Sequence, residues 1–246
     1  MTTLSAPAKL TWFLEITGTR ANGYHELRSE MTTLALADEL ELDEDGDFLT
    51  ITNAPHLATD DTNLVRRALA LVGRRAGVTL TKRIPAGGGL GGGSADAAAI
   101  LRWAGGVSDV EALRLGGDVP FCQRGGRALV EGVGEVVQPL PFVARDVTLL
   151  LPSFSVNTAQ VYKAYDELAA EGFAGSGRNH LEAPATRVEP RLGQVLAWAR
   201  AEYGAVELAG SGSTLFVEGH LRSDVVSWDV TGPAGALQLV QTVTTP

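Results

Sequence analysis

The chain of 246 residues holds a single cysteine, Cys122, so no internal disulfide can form and the fold must stand on its core. No run approaches the roughly 18–20 apolar residues that cross a bilayer. The stretch Leu10-Thr11-Trp12-Phe13-Leu14 stops at Glu15 with no small-residue cleavage site behind it, too short for a secretory leader. A basic excess is also missing. Twenty Lys and Arg stand against 29 Asp and Glu, a formal charge of −9 that repels a nucleic-acid backbone. No fixed-period repeat or low-complexity tract occurs apart from one glycine run. These absences predict a cytoplasmic protein whose partner is a small molecule rather than a nucleic acid or a membrane; a monomer or homodimer is expected without a sequence signal to choose between them.

Apolar residues make up 45% and charged residues 20%, the balance of a soluble globular chain. The length allows one large domain or two smaller ones sharing a cleft. Alternating patterns predict strands over residues 9–18, 31–42, 48–52 and 78–84, with an Asn22-Gly23 turn after the first. Helical spacing predicts a helix over residues 63–76, with Asp61 or Thr62 as N-cap and Gly77 as stop, and alanine richness another over 95–103. Residues 125–137 and 147–151 read as strands. Helices over 158–170 and 190–202 follow, then strands over 205–208, 214–217, 227–230 and 236–243. The proline-bearing link at 139–146 divides the chain into two α+β domains, 1–145 and 146–246.

Six of the eight positions in Gly87-Gly88-Gly89-Leu90-Gly91-Gly92-Gly93-Ser94 are glycine, directly before a helix. Glycine admits positive φ and close approach, so successive N–H groups can converge on an anion beside the helix start. A triphosphate suits such a cradle. The dinucleotide pattern G-x-G-x-x-G is formally present, with Asp109 and Glu111 downstream, but in so dense a run the match is nearly automatic. Residues 81–85 are moreover too polar for a buried parallel strand. A Walker A loop requires Gly-Lys-Ser/Thr, and here Gly93 meets Ser94 directly.

The run Pro85 to Ala98 resembles the P-x-G-G-G-L-G-G-G-S-S/A-x-A-A motif of the GHMP kinases. Ala6-Pro7-Ala8-Lys9-Leu10, Arg20 to Leu27 around Gly23-Tyr24-His25, Gly116-Gly117-Asp118-Val119-Pro120-Phe121 and Gly210-Ser211-Gly212-Ser213 resemble, in order, further motifs of one branch of that superfamily. That branch acts on a cytidyl-linked methylerythritol in isoprenoid precursor synthesis. The resemblance implies an N-terminal α/β domain like domain 2 of ribosomal protein S5, a C-terminal ferredoxin-like α+β domain, and an active site between them. It implies transfer of the γ-phosphate of ATP, with Mg²⁺, to the 2-hydroxyl of the cytidyl-linked alcohol. Lys9 and Asp118 would be catalytic. Pro85, Gly87, Gly88, Gly89, Leu90, Gly91, Gly92, Gly93, Ser94 and Ala95 would hold ATP, with Ser94 taking a phosphate oxygen or Mg²⁺, or else capping its helix. Tyr24 would stack on cytosine, His25 would bond its edge, and Thr11, Gly210 and Ser211 would shape the acceptor side. No protein side chain is assigned as a metal ligand. Two positions depart from the branch: Thr11 replaces an asparagine, and His180 replaces an aspartate in its Asn-Asp-Leu run. A GHMP-type kinase for another alcohol, or a nucleotide-binding paralogue without activity, are the alternatives.

Overall fold

The structure, a computed structural model, describes residues 1–246. Two long strands, β1 (Thr2–Thr19) and β2 (His25–Asp43), form an antiparallel hairpin. Arg20 N–H donates to the Tyr24 carbonyl at 2.8 Å across its turn, where Gly23 takes φ 85°. The pairing shifts register between Pro7 and Lys9, Thr11 and Phe13, and Ile16 and Gly18. Such bulges re-aim side chains. β3 (Leu49–Ile51) runs parallel to β4 (Gly77–Thr81), and helix α1 (Leu64–Leu71) connects them. The cap of α1 is Asn63, whose side chain accepts from Val65 N–H, rather than Asp61 or Thr62. Its end also falls earlier than expected. Gly73, at φ 63°, turns the chain away, whereas Gly77 already belongs to β4.

Helix α2 (Gly92–Trp103) is buried along Ala95 to Leu101, because alanines let neighbouring elements approach closely on every side. Two short helices absent from the sequence reading follow, α3 (Asp109–Leu113) and α4 (Val119–Arg124). Ser108 and Glu111 form a reciprocal capping box on α3, and Asp109 pairs with Arg124. These roles dispose of Asp109 and Glu111 as ribose-binding acids. The single strand expected over 125–137 is two, β5 (Arg127–Gly132) and β6 (Val136–Pro139). The left-handed glycines Gly132 and Gly134 fold the chain back between them.

The second half contains β7 (Asp146–Pro152), α5 (Thr158–Ala170), α6 (Glu182–Val188), α7 (Pro190–Tyr203), β8 (Glu207–Leu208), β9 (Leu215–Glu218), β10 (Ser227–Gly232) and β11 (Gly235–Thr245). Only α6 was not anticipated. Strands β10, β11, β7, β9 and β8 lie in that spatial order, all antiparallel. β2 pairs with β1 along its length and with β4 and β5 over parts of it. The two sheets join where Thr244 and Thr245 of β11 pair with Leu34 and Thr33 of β2. One apolar cluster of 35 residues surrounds α2, and a second of 17 lies under α5, α6 and α7. Strand β7 serves both: Val147, Leu149 and Leu151 face the first and Leu150 the second.

Candidate active site

A cleft of about 960 Å³ opens between the β1–β2 hairpin, the glycine loop and α5. Within the loop, Gly87, Gly89 and Gly91 take φ of 71°, 79° and 69°, while Gly88 and Leu90 between them keep negative φ. Alternation of this kind turns successive N–H groups to one side, the geometry of an anion nest. The loop is tied at two points. Lys9 N–H donates to the Leu90 carbonyl at 3.0 Å and Thr214 N–H to the Gly88 carbonyl at 3.1 Å. Leu90 plugs its side chain into the core at 1% exposure, so only its main chain is left for a ligand. Glycine is required by space as well as by φ, since a Cβ on Gly89 would sit 2.4 Å from the Ala209 carbonyl oxygen.

Lys9 and Thr11 are two residues apart on β1 and therefore share a face. The Lys9 ammonium, nearly buried at 6% side-chain exposure, donates to Thr11 Oγ1 at 3.1 Å and lies 3.4 Å from Asp118 Oδ2. Asp118 occupies the N-cap position of α4 yet makes no side-chain capping bond, and one third of its side chain is exposed to the cleft. The turn between β5 and β6 supports it from behind. A Cβ on Gly117 would meet the Val133 carbonyl oxygen at 2.9 Å, and one on Gly134 would meet the Gly117 carbonyl oxygen at 2.0 Å. Both positions accept only glycine at this spacing.

At the opposite wall Tyr24 is exposed, whereas His25 is held on three sides. The His25 ring stacks on Tyr162 with centroids 5.0 Å apart, meets Tyr165 edge-on, and lies with Nε2 2.7 Å from Asp166 Oδ1. Burial, then the nearby Asp118 charge, push the Tyr162 hydroxyl up from its ordinary range. Gly210, at φ 60°, approaches the Lys9 ammonium, and Ser211 Oγ shares a 2.8 Å hydrogen bond with Thr158. Asn179 fixes this segment by donating to the Leu208 and Gly210 carbonyls. His180 faces away from it, its Nδ1 accepting from Ile16 N–H at 3.1 Å.

Every site residue expected from the sequence lines this one cleft except Ala95. Ala95 is buried at 1% exposure with its N–H bonded to the Gly91 carbonyl, because α2 begins at Gly92 and not at Ala95. For the same reason Ser94 is no N-cap. That position belongs to Gly91, and the serine hydroxyl stays available on the first turn. The sequence reading missed Thr158, Tyr162 and Asp166, which stand four residues apart on one face of α5 and line the cleft together. That i, i+4, i+8 stripe of hydroxyl, ring and carboxylate was the available signal. Lys82 and Asp96 were missed too. Burial raises the Asp96 carboxyl to about 7, against the opposing pull of Lys82. Cys122 is buried and its thiol is pushed up by burial, which rules it out as a nucleophile.

Comparison with known proteins identifies the family. The family described as GHMP kinases N terminal domain matches residues 63–126. The 4-diphosphocytidyl-2-C-methyl-D-erythritol kinase of Paracoccus denitrificans is 38% identical over 86% of this chain and 85% of its own, and that of Thiobacillus denitrificans 37% over 86% and 84%. A crystal structure of 4-(cytidine 5'-diphospho)-2C-methyl-D-erythritol kinase superposes with a TM-score of 0.69 at 31% identity, covering 97% of this chain and 99% of that one. A mevalonate kinase structure, 12% identical with a TM-score of 0.57 over the whole of both chains, shares the fold alone. On this identity and coverage, the chain belongs to the 4-diphosphocytidyl-2-C-methyl-D-erythritol kinase family of the GHMP kinases.

Proposed function

We propose that this protein transfers the γ-phosphate of ATP to the 2-hydroxyl of 4-diphosphocytidyl-2-C-methyl-D-erythritol. The carrying observation is the Lys9–Asp118 contact at 3.4 Å, set between the glycine nest and the His25–Tyr162 wall of one cleft. Phosphoryl transfer needs little covalent chemistry from the protein; positioning and charge stabilisation dominate. The nest, from Gly87 to Gly93 with the Ser94 hydroxyl and the edge of Pro85, cradles the phosphates. Asp118 orients the acceptor hydroxyl and takes its proton. Lys9 holds that carboxylate in place and faces the charge that develops on the transferring group. Tyr24 stacks on the cytosine, His25 with Tyr162 forms the wall beside it, and Thr11, Gly210 and Ser211 shape the acceptor end.

Magnesium accompanies ATP in such reactions and is commonly held by one or two protein groups plus the phosphates. The Ser94 hydroxyl would meet it, and the ion would neutralise phosphate charge. With this reading goes a division of labour, residues 1–145 carrying the nucleotide and 146–246 completing the acceptor side. A cytoplasmic monomer or homodimer is proposed with it. The lone buried Cys122, in keeping with a reducing compartment, supports the location.

The test is ADP release measured with the cytidyl substrate and with a panel of other alcohols. Turnover should require the cytidyl group. Asp118→Asn should lower kcat by about 10²–10⁴ while a nonhydrolysable ATP analogue still binds. Equal turnover of a simple alcohol, or full activity in the variant, would sink the proposal.

A further inference from the structure

Below the glycine loop lies a charge cluster that the chemistry above does not use. The Lys82 ammonium, 8% exposed, contacts Asp38, whose side chain is fully buried, and bonds Asp96 Oδ2 at 2.7 Å, itself 5% exposed. Asp38 also accepts the main-chain N–H groups of Arg83 at 2.5 Å and Ile84 at 2.8 Å, the last residues before Pro85. Asp96 stands in the second turn of α2, immediately after the loop. One ammonium thus joins a carboxylate that grips the loop's entry to a carboxylate built into its exit. The Lys82 main chain is itself fixed. Its N–H donates to Asn53 Oδ1 at 2.9 Å and its carbonyl accepts from Asn53 Nδ2 at 2.5 Å.

The contact reaches the cradle directly. A Cβ on Gly92 would lie 3.2 Å from Lys82 Nζ, so the ammonium rests against the first residue of α2, and both Lys82 and Asp96 border the cleft. Asp96 Oδ1 is buried with no hydrogen-bond partner, and Lys82 donates to the other oxygen, with the Asp38 carboxyl beside the pair. Removing the ammonium would leave two buried carboxylates behind a site meant for a polyanion, and would free the two ends of the loop to separate.

We propose that Lys82 is a positioning residue for the nucleotide: by clasping Asp38 and Asp96 it sets the span of the glycine loop and cancels negative charge behind the phosphates. This inference rests on the reading that the loop holds nucleotide phosphates. It assigns Lys82 no contact with the acceptor, so its effect should be confined to the nucleotide.

Steady-state kinetics in both substrates, with calorimetric titration of a nonhydrolysable ATP analogue, provide the test. Lys82→Met should raise KM for ATP and the analogue Kd by about 10–100-fold, the scale of a small misplacement in a tight site. KM for the cytidyl acceptor should move less than about twofold. Asp96→Asn, which loses the charge but keeps an oxygen for Lys82, should raise KM for ATP less than Lys82→Met does. Lys82→Met/Asp96→Leu replaces part of the ionic contact with apolar volume. It keeps the test usable if the single variant folds poorly, and the same rise in KM for ATP is expected. Unchanged nucleotide affinity in the Lys82 variants would overturn the inference, as would a loss confined to kcat, which reports only a smaller active fraction. If the parent protein itself bound no analogue, the reading of the loop would fail first and this inference with it.

Discussion

Asp96 shows how a single buried carboxyl can be at once a structural part and a liability. Its folded form titrates near 7 because burial disfavours the charge, whereas an exposed aspartate titrates near 3.8. Between those values the folded protein keeps a proton that the unfolded chain has released. Stability is therefore fullest below the lower value and falls as pH rises through the upper one. Asn at this position carries no such penalty. The melting temperature of Asp96→Asn relative to the parent should consequently climb from pH 5 to pH 8, and a gap that does not vary with pH would refute the assignment. At this scale the sequence was informative wherever a motif fixed both residue type and spacing. Lys9, Asp118, Tyr24, His25 and the glycines, grouped by motif, do line one cleft. The sequence was silent on Lys82 and Asp38, 44 residues apart in sequence and in contact only because β2 pairs with β4. For Tyr162 the only signal was its place in the Thr158–Tyr162–Asp166 stripe, because the ring reads locally as ordinary helix packing.

Elements were legible where periodicity ran long. Helix α5 falls over the expected residues, and α7 differs only at its last residue. Short elements escaped because their signals are local caps and turns rather than periods. The Ser108–Glu111 capping box of α3 was present in the sequence, overshadowed by the dinucleotide pattern that shares its acidic residues. The glycine run announced a cradle but not its alternating backbone, which arises from the ties to β1 and Thr214. That dependence can be measured. Gly89→Ala would place a Cβ 2.4 Å from the Ala209 carbonyl oxygen at a residue with φ 79°. The strain should cost about 1–3 kcal/mol of stability in urea melts. Nucleotide affinity should drop at least about tenfold in the surviving folded protein. A variant that binds the analogue normally would show that the loop is not held by these neighbours.

Over the whole molecule the glycine loop is bonded to β1 on one side and to Thr214, next to β9, on the other, and β1 and β9 each contribute to both apolar clusters. A bound nucleotide should stabilise both together. At 100 times Kd the linkage is about 2.7 kcal/mol, or roughly 5–10 °C in melting temperature for a chain of this size. Differential scanning calorimetry should show one transition moving upward; a second, unmoved transition would mean that the clusters melt independently. The two-part α+β plan could be read from the order of strands and helices, since each part has its own periodic elements. The sharing of β7 could not, because it depends on which face of a strand meets which layer.

The pairing of β11 with β2 also governs when the fold can be completed during synthesis. Thr33 and Leu34 leave the ribosome about 210 residues before their partners Thr245 and Thr244. Until then the first sheet lacks a neighbour on that stretch, while the larger cluster gains Val147, Leu149, Leu151, Ala209 and Phe216 only as the intervening chain emerges. A separately expressed fragment of residues 1–145 would carry this exposed apolar face permanently, and chaperone dependence or aggregation is its expected fate.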